Sequence, residues 1–141
     1  MKKDKHIDIY PNETWCFNLV VCNDSITLED INKEYCGEYD DKGYEKDFEY
    51  DVSNTYAITT VLYTKKEHMP VYFCWYTHNI KPMGDDTEED DLISTISHES
   101  YHLTFDLIKD KGDNLVDDNQ EAAAYLLGWI AKCIYKTVKK Q

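Results

Sequence analysis

The chain contains no arginine, and all fifteen of its basic residues are lysines. A planar guanidinium fork, the usual bidentate clamp for a carboxylate or a phosphate, is therefore missing, which argues against carboxypeptidase and phosphotransfer sites. Also lacking is any apolar run approaching the roughly 18–20 residues that a membrane-spanning helix needs. The start, Met1-Lys2-Lys3-Asp4-Lys5-His6, has no apolar segment of the signal-peptide kind. The five cysteines (Cys16, Cys22, Cys36, Cys74, Cys133) are odd in number and show no C-x-x-C spacing, so neither a disulfide framework nor a thiolate zinc knuckle is indicated. Together these absences lead us to expect a soluble, unexported, cytoplasmic protein. Positive charge is in the minority, 15 Lys against 28 Asp+Glu, and the net charge of -13 repels phosphate backbones and anionic bilayers. We therefore expect no nucleic-acid and no membrane partner. The 141 residues suit one domain, large enough to bury about two-thirds of the surface its unfolded chain would expose.

What is present reads as an α+β chain. Residues 1–12 read as a flexible, charged tail. From Thr14 to Cys22 apolar residues alternate, with Trp15, Phe17, Leu19 and Val21 on one face, as in a strand. Ser25 or Thr27 is placed to cap a short helix running to about Tyr35 and ending near Gly37. Residues 38–54 are acidic and tyrosine-rich, with a turn at Asp40-Asp41-Lys42-Gly43 and a short edge strand expected over Phe48–Val52. Their carboxylates lack the order of a calcium loop and read as a solvated face. Tyr56–Thr64 and Val71–His78 are rich in β-branched and aromatic residues, and the polar stretch between them suits a hairpin. Because Val71 to Tyr76 is apolar on both faces, that strand is expected to be central or covered. The expected sheet is small, twisted and mostly antiparallel, of three to four strands, packed against two helices.

The first of those helices carries the chemistry. Thr87 and Asp90 form a capping-box pattern that starts it near Glu88, and Lys109 to Asp113 ends it. Ile93, Ile96, Ser100, Leu103 and Leu107 give it a core stripe at 3,4 spacing, with His98 and His102 on a neighbouring stripe beside the core. His98-Glu99-Ser100-Tyr101-His102 is an H-E-x-x-H pentapeptide. Four helical residues advance about 400° and 6 Å, so the two imidazoles project from one face, a turn apart, and are spaced to share one Zn²⁺. Glu99 then lies beside the open coordination position as a candidate general base. A second long helix runs from about Gln120 to Lys140, with Asp117, Asp118 and Asn119 as cap candidates. It presents Glu121 as the candidate third ligand and Tyr125 as a residue in reach of the water or oxyanion. The alternative for Glu121 is a capping box with Asp118, and for Tyr125 simple packing. His78 is a candidate to face the metal, against a strand-end histidine that is merely hydrogen-bonded or wet.

With these residues in place, the chain resembles the zincin metallopeptidases, and within them the gluzincins, where H-E-x-x-H on one helix is completed by a glutamate on the next. The likeness rests on His98, Glu99, His102 and Glu121, and on Asn119 to Tyr125, which looks like the glutamate helix of minimal zincins such as the ImmA/IrrE-type proteases and small zincin-like proteins of phages and prophages. It implies one zincin-like domain over residues 1–141, zinc held by His98, His102 and Glu121, Glu99 as general base with Tyr125 in support, and a peptide or protein substrate laid along an edge strand. For a phage-encoded protein the compartment would be the host cytoplasm. The expected function is thus a zinc-dependent metalloendopeptidase. The rival is an acidic interaction or inhibitor protein of the phage type, in which the zinc is structural or vestigial. Substrate identity and oligomeric state are not legible in the residues.

Overall fold

The structure is a computed structural model that describes residues 4–113 and 116–140. In chain order it comprises strands β1 (Ile7–Asn12) and β2 (Phe17–Cys22), helix α1 (Leu28–Glu34), and the two-residue strands β3 (Tyr35–Cys36), β4 (Glu38–Tyr39) and β5 (Glu45–Lys46). Strands β6 (Ala57–Thr64) and β7 (Pro70–Tyr76) follow, then helix α2 (Glu88–Asp110), a 3-10 turn at Asp117–Asn119 and helix α3 (Gln120–Val138). The α+β class holds, but the sheet is larger than the expected three to four strands. It has five, in the order β1-β2-β7-β6-β3, with β4 and β5 as a separate hairpin. Pairing within the five is antiparallel except between β2 and β7, which run parallel.

Strand β7 lies at the centre of that order and is covered on both faces, as its continuous apolar run requires. On one face Leu19, Val21, Cys74 and Tyr76 pack under Leu92, Ile96, Leu103 and Leu107 of α2 and Leu126, Ile130 and Ile134 of α3. On the other, Val20, Cys22, Val71, Phe73 and Trp75 meet Ile31 of α1, Tyr35 and Phe48. The period-2 alternation in β2 and β7 thus splits each strand between two cores, and the long helices cover a single side.

Three segments differ from the sequence reading, each for a physical reason. Residues 7–12, expected within a flexible tail, form edge strand β1, in register with β2 from Ile7 opposite Cys22 to Asn12 opposite Phe17. The face that β1 turns toward the helices carries Asp8 and Tyr10 in place of aliphatics, so the alternation is masked. Thr137 Oγ1 donates to Asp8 Oδ2 at 2.7 Å, Lys140 Nζ lies 2.8 Å from the same oxygen, and the Tyr10 hydroxyl shares a 2.8 Å hydrogen bond with Thr137. Phe48–Val52, expected as an edge strand, is irregular. Phe48 is buried, and its backbone is matched by a side chain instead of a strand: its N–H donates to Asn32 Oδ1 at 2.7 Å and its carbonyl accepts from Asn32 Nδ2 at 2.9 Å. The strand expected from Thr14 begins only at Phe17, because the chain turns over residues 13–16, with Cys16 at φ 54°.

The helix caps follow the sequence closely. Thr27 caps α1 and Thr87 caps α2, each in a reciprocal capping box, with Asp30 and Asp90 respectively. In α2 the Asp90 N–H donates to Thr87 Oγ1 at 3.1 Å and the Thr87 N–H to Asp90 Oδ2 at 2.8 Å. Helix α3 has no such box. Asp117–Asn119 wind into a 3-10 turn, and Asn119 makes no side-chain cap, spending its Oδ1 on the Val116 N–H at 3.0 Å. Glu121 is therefore not a capping residue. No helix of the described residues is long and apolar enough to cross a membrane.

Candidate metal site on helix α2

The buried residues of α2 are Leu92, Thr95, Ile96, Glu99, Ser100, Leu103, Thr104, Leu107 and Ile108. This differs from the expected stripe at its first member: Leu92 is inside and Ile93 is 59% exposed. The broad buried arc takes in Glu99 and turns His98 and His102 to solvent, so the histidines stand on the outer face and not beside the core.

On that face the pair converges. His98 Nε2 and His102 Nε2 are 3.1 Å apart, with ring centroids at 4.6 Å and planes at 72°. Two nitrogens each about 2.0–2.1 Å from one tetrahedral ion lie roughly 3.4 Å apart, so the pair is close to the geometry of two ligands on one zinc. Glu99 Oε1 is 4.0 Å from His98 Nε2, and its side chain is only 10% exposed, directed toward the sheet. Burial raises the Glu99 carboxyl above the ordinary carboxylate range, against the opposing pull of a hydrogen bond from Thr59 of β6 and of the two imidazoles. Burial, and then the charge of Glu99, push the Cys74 thiol well up, so Cys74 sits near Glu99 as an inert thiol. Neither Thr59 nor Cys74 was singled out from the sequence. The one available signal was the polar pair Thr59-Thr60 inside an otherwise apolar strand.

Beside this cluster the sheet has an open edge. Strand β3 pairs with β6 only at Tyr63 and Thr64, so Ala57 to Leu62 have no strand partner on that side among the described residues. Thr59 lies in the middle of the unpaired stretch.

The other expected site residues lie elsewhere. Glu121 is exposed in the first turn of α3 and lines a cleft with Asn12, Thr14, Trp15, Tyr125, Gly128, Trp129 and Lys132, beside the β1–β2 turn. Along the helix axis the reason is length: α2 continues from Leu103 to Asp110 beyond His102, about 12 Å at 1.5 Å per residue. The antiparallel register is marked at the far end by Lys139 Nζ, 3.5 Å from Glu89 Oε2, so α3 starts level with the end of α2 and not with the histidines. Across the sheet, Glu99 meets β6 while the Glu121 cleft meets the β1–β2 turn, with β7 and β2 between, about 14 Å at 4.8 Å per strand. Tyr125, 75% exposed, lines the same cleft as Glu121. His78 stacks on Tyr76, shares a 3.1 Å hydrogen bond with its hydroxyl and has Nε2 3.9 Å from Glu88 Oε1. It thus marks the N-terminal end of α2, about 15 Å along the helix from His98. Tyr101 is exposed and stacks on Phe105.

The structure therefore brings together His98, Glu99 and His102 and does not bring Glu121, Tyr125 or His78 to them. Among the described residues no group of three His, Cys, Asp or Glu side chains is gathered to hold a metal ion. Two ligands of a zinc site fit; a third protein ligand is not in place. No protein-family model, no curated protein and no solved structure matches this chain.

Proposed function

We propose that this chain is a zinc-dependent peptide hydrolase in which His98 and His102 hold the metal and Glu99 is the general base. The observation that carries the reading is the convergence of the two Nε2 atoms at 3.1 Å beside the largely buried carboxyl of Glu99. Zinc bound there supplies a Lewis acid that activates water and polarises a carbonyl. The chain's own residues do the rest. Glu99, kept from solvent against Thr59, accepts a proton and returns it to a leaving amine. The unpaired edge of β6 offers backbone N–H and C=O groups to an extended peptide, which would lie beside Glu99 as an added strand.

In this reading the site is built by α2 alone. Catalytic zinc sites usually have three protein ligands, so a two-histidine site holds its metal less tightly. A second reading, an acidic interaction protein with a vestigial or structural site, is favoured by one observation: Glu121 lies in another cleft. One experiment separates them. Zinc-loaded wild type and Glu99→Gln are incubated with a proteome-derived peptide library, and fragments are read by mass spectrometry. The hydrolase reading requires cleavage by wild type and at least about a hundredfold less by Glu99→Gln at equal zinc content. Indistinguishable fragments, or none from wild type, leave the interaction protein.

A further inference from the structure

His98 and His102 fill half of a zinc coordination shell. Zinc held by protein nitrogens is almost always four-coordinate, and α2 supplies two donors, the Nε2 atoms 3.1 Å apart. Both histidines are exposed, the His98 side chain at 66%, so the other two positions of an ion between them point away from the helix. Glu99 sits on the buried side, its Oε1 4.0 Å from His98 Nε2, and among the described residues no third His, Cys, Asp or Glu joins the pair. Completing the shell requires donors from outside this chain.

The surface around the pair differs from the rest of the molecule. The seven exposed residues from Ile93 to Phe105 are two serines, two histidines, two aromatics and one isoleucine, with no Asp, Glu, Lys or Arg among them. Glu99, the one carboxylate of the stretch, is buried. This neutral face runs about 18 Å along α2. Charge resumes at both ends, with Glu88, Glu89 and Asp90 before it and Asp106 and Asp110 after it. Ser94, His98, Tyr101, His102 and Phe105 fall within about 100° of arc, so the stacked, exposed rings of Tyr101 and Phe105 flank the histidines. A chain of net charge -13 repels its copies over most of its surface, and this face is free of that repulsion.

We infer that one zinc ion joins two copies of this chain, each giving His98 and His102 to a shared four-nitrogen site on the two-fold axis. Of the proposed function this requires zinc binding by the two histidines, and not hydrolysis. The axis passes through the metal, so the same pair of donors serves both copies and closure is built in. Protein contact alone is too small to hold the copies. A helix face about 18 Å long and 10–12 Å wide offers on the order of 200 Å², against roughly 800 Å² per partner in a stable interface, so the metal-free chain is monomeric. The bridge also regulates the site. With four imidazoles on the ion no position remains for water, which makes the dimer a latent form and the zinc-bound monomer the hydrolytic one.

The test is a zinc titration of the full chain, first stripped with chelator, followed by sedimentation equilibrium in about 0.15 M salt to screen the net charge. Metal-free protein should be monomeric. The dimer should rise to a maximum near one zinc per two chains and fall again in excess zinc, when each chain takes an ion of its own. His102→Ala should remain monomeric at every zinc concentration. Phe105→Lys keeps both histidines but brings a lysine from each copy near the shared ion, and should weaken zinc-driven association by at least about tenfold. Both positions are exposed, and circular dichroism verifies that each variant folds. A wild type that stays monomeric while binding about one zinc per chain overturns the bridge and leaves the hydrolase reading standing. A chain that binds no zinc overturns both. A dimer that survives chelator, His102→Ala or Phe105→Lys undiminished is held by another contact, and the bridge is again overturned.

Discussion

Helices α2 and α3 each bring a carboxylate near a group of chemically capable side chains, and the two carboxylates end in unlike surroundings. Glu99 is 10% exposed, lies against Thr59 and is flanked by two converging imidazoles. Glu121 is exposed in a cleft with Trp15, Tyr125 and Lys132. The contrast teaches that proximity within one helix follows directly from its pitch, whereas proximity between helices depends on register. His98, Glu99 and His102 are neighbours by local geometry alone. Glu121 would join them only if α3 were displaced along α2 by about two turns.

The largest expected effect tests the local side of this comparison. His102→Ala removes one of two converging imidazoles and, on the proposed function, should abolish both zinc binding and hydrolysis, read by elemental analysis of protein purified without chelator and by the peptide-library assay. Glu99→Gln should separate the two functions, holding zinc nearly as well as wild type while losing at least about a hundredfold in cleavage. Equal loss of zinc in both variants would make Glu99 a ligand instead of a base.

The tertiary side is sharpened by Glu121→Ala. With Glu121 in its own cleft, zinc retention should change by no more than about twofold, the ordinary effect of a surface substitution. A large drop would mean that α3 slides to complete a three-ligand site on metal binding.

The smallest effect concerns what holds α3 in place. Thr137 is fully buried between Tyr10 and Asp8, and Thr137→Val should lower stability by about 1–2 kcal/mol by leaving both partners short of a hydrogen bond. Burial pushes the Asp8 carboxyl up, but the hydrogen bonds from Lys140 and Thr137 outweigh it and hold its pKa below the usual value. The sign follows: stability from this contact is complete above the ordinary carboxylate pKa and is lost as pH falls through the lowered one. Acid titration of thermal stability should show that loss in wild type and not in Asp8→Asn. An unchanged acid limb would remove Asp8 as an anchor of α3.

Much was legible in the residues themselves. Thr87 with Asp90 placed the start of α2, the apolar run from Val71 to Tyr76 placed β7 inside the sheet, and the spacing of His98 and His102 set the two imidazoles together. Each rests on interactions within a few residues, which the local pattern specifies. Strand β1 was not legible, because Asp8 and Tyr10 are polar where an edge strand usually shows aliphatics, and their partners Thr137 and Lys140 lie at the far end of the chain. Nor was Phe48 placed correctly, since its backbone partner is the Asn32 side chain.

By itself the sequence determined the α+β class, the capped helix and a histidine pair at metal-ligand spacing, because helix pitch and strand alternation turn order in the chain directly into direction in space. Tertiary structure alone decided that Glu99 faces Thr59, that β6 keeps an open edge, and that Glu121 belongs to a cleft with Trp15. Those facts depend on the order of strands in the sheet and on the register of α3 against α2. Both rest on packing between residues such as Leu19, Cys74, Leu103, Leu126 and Ile130, whose partners are too far apart in sequence for any local pattern to specify.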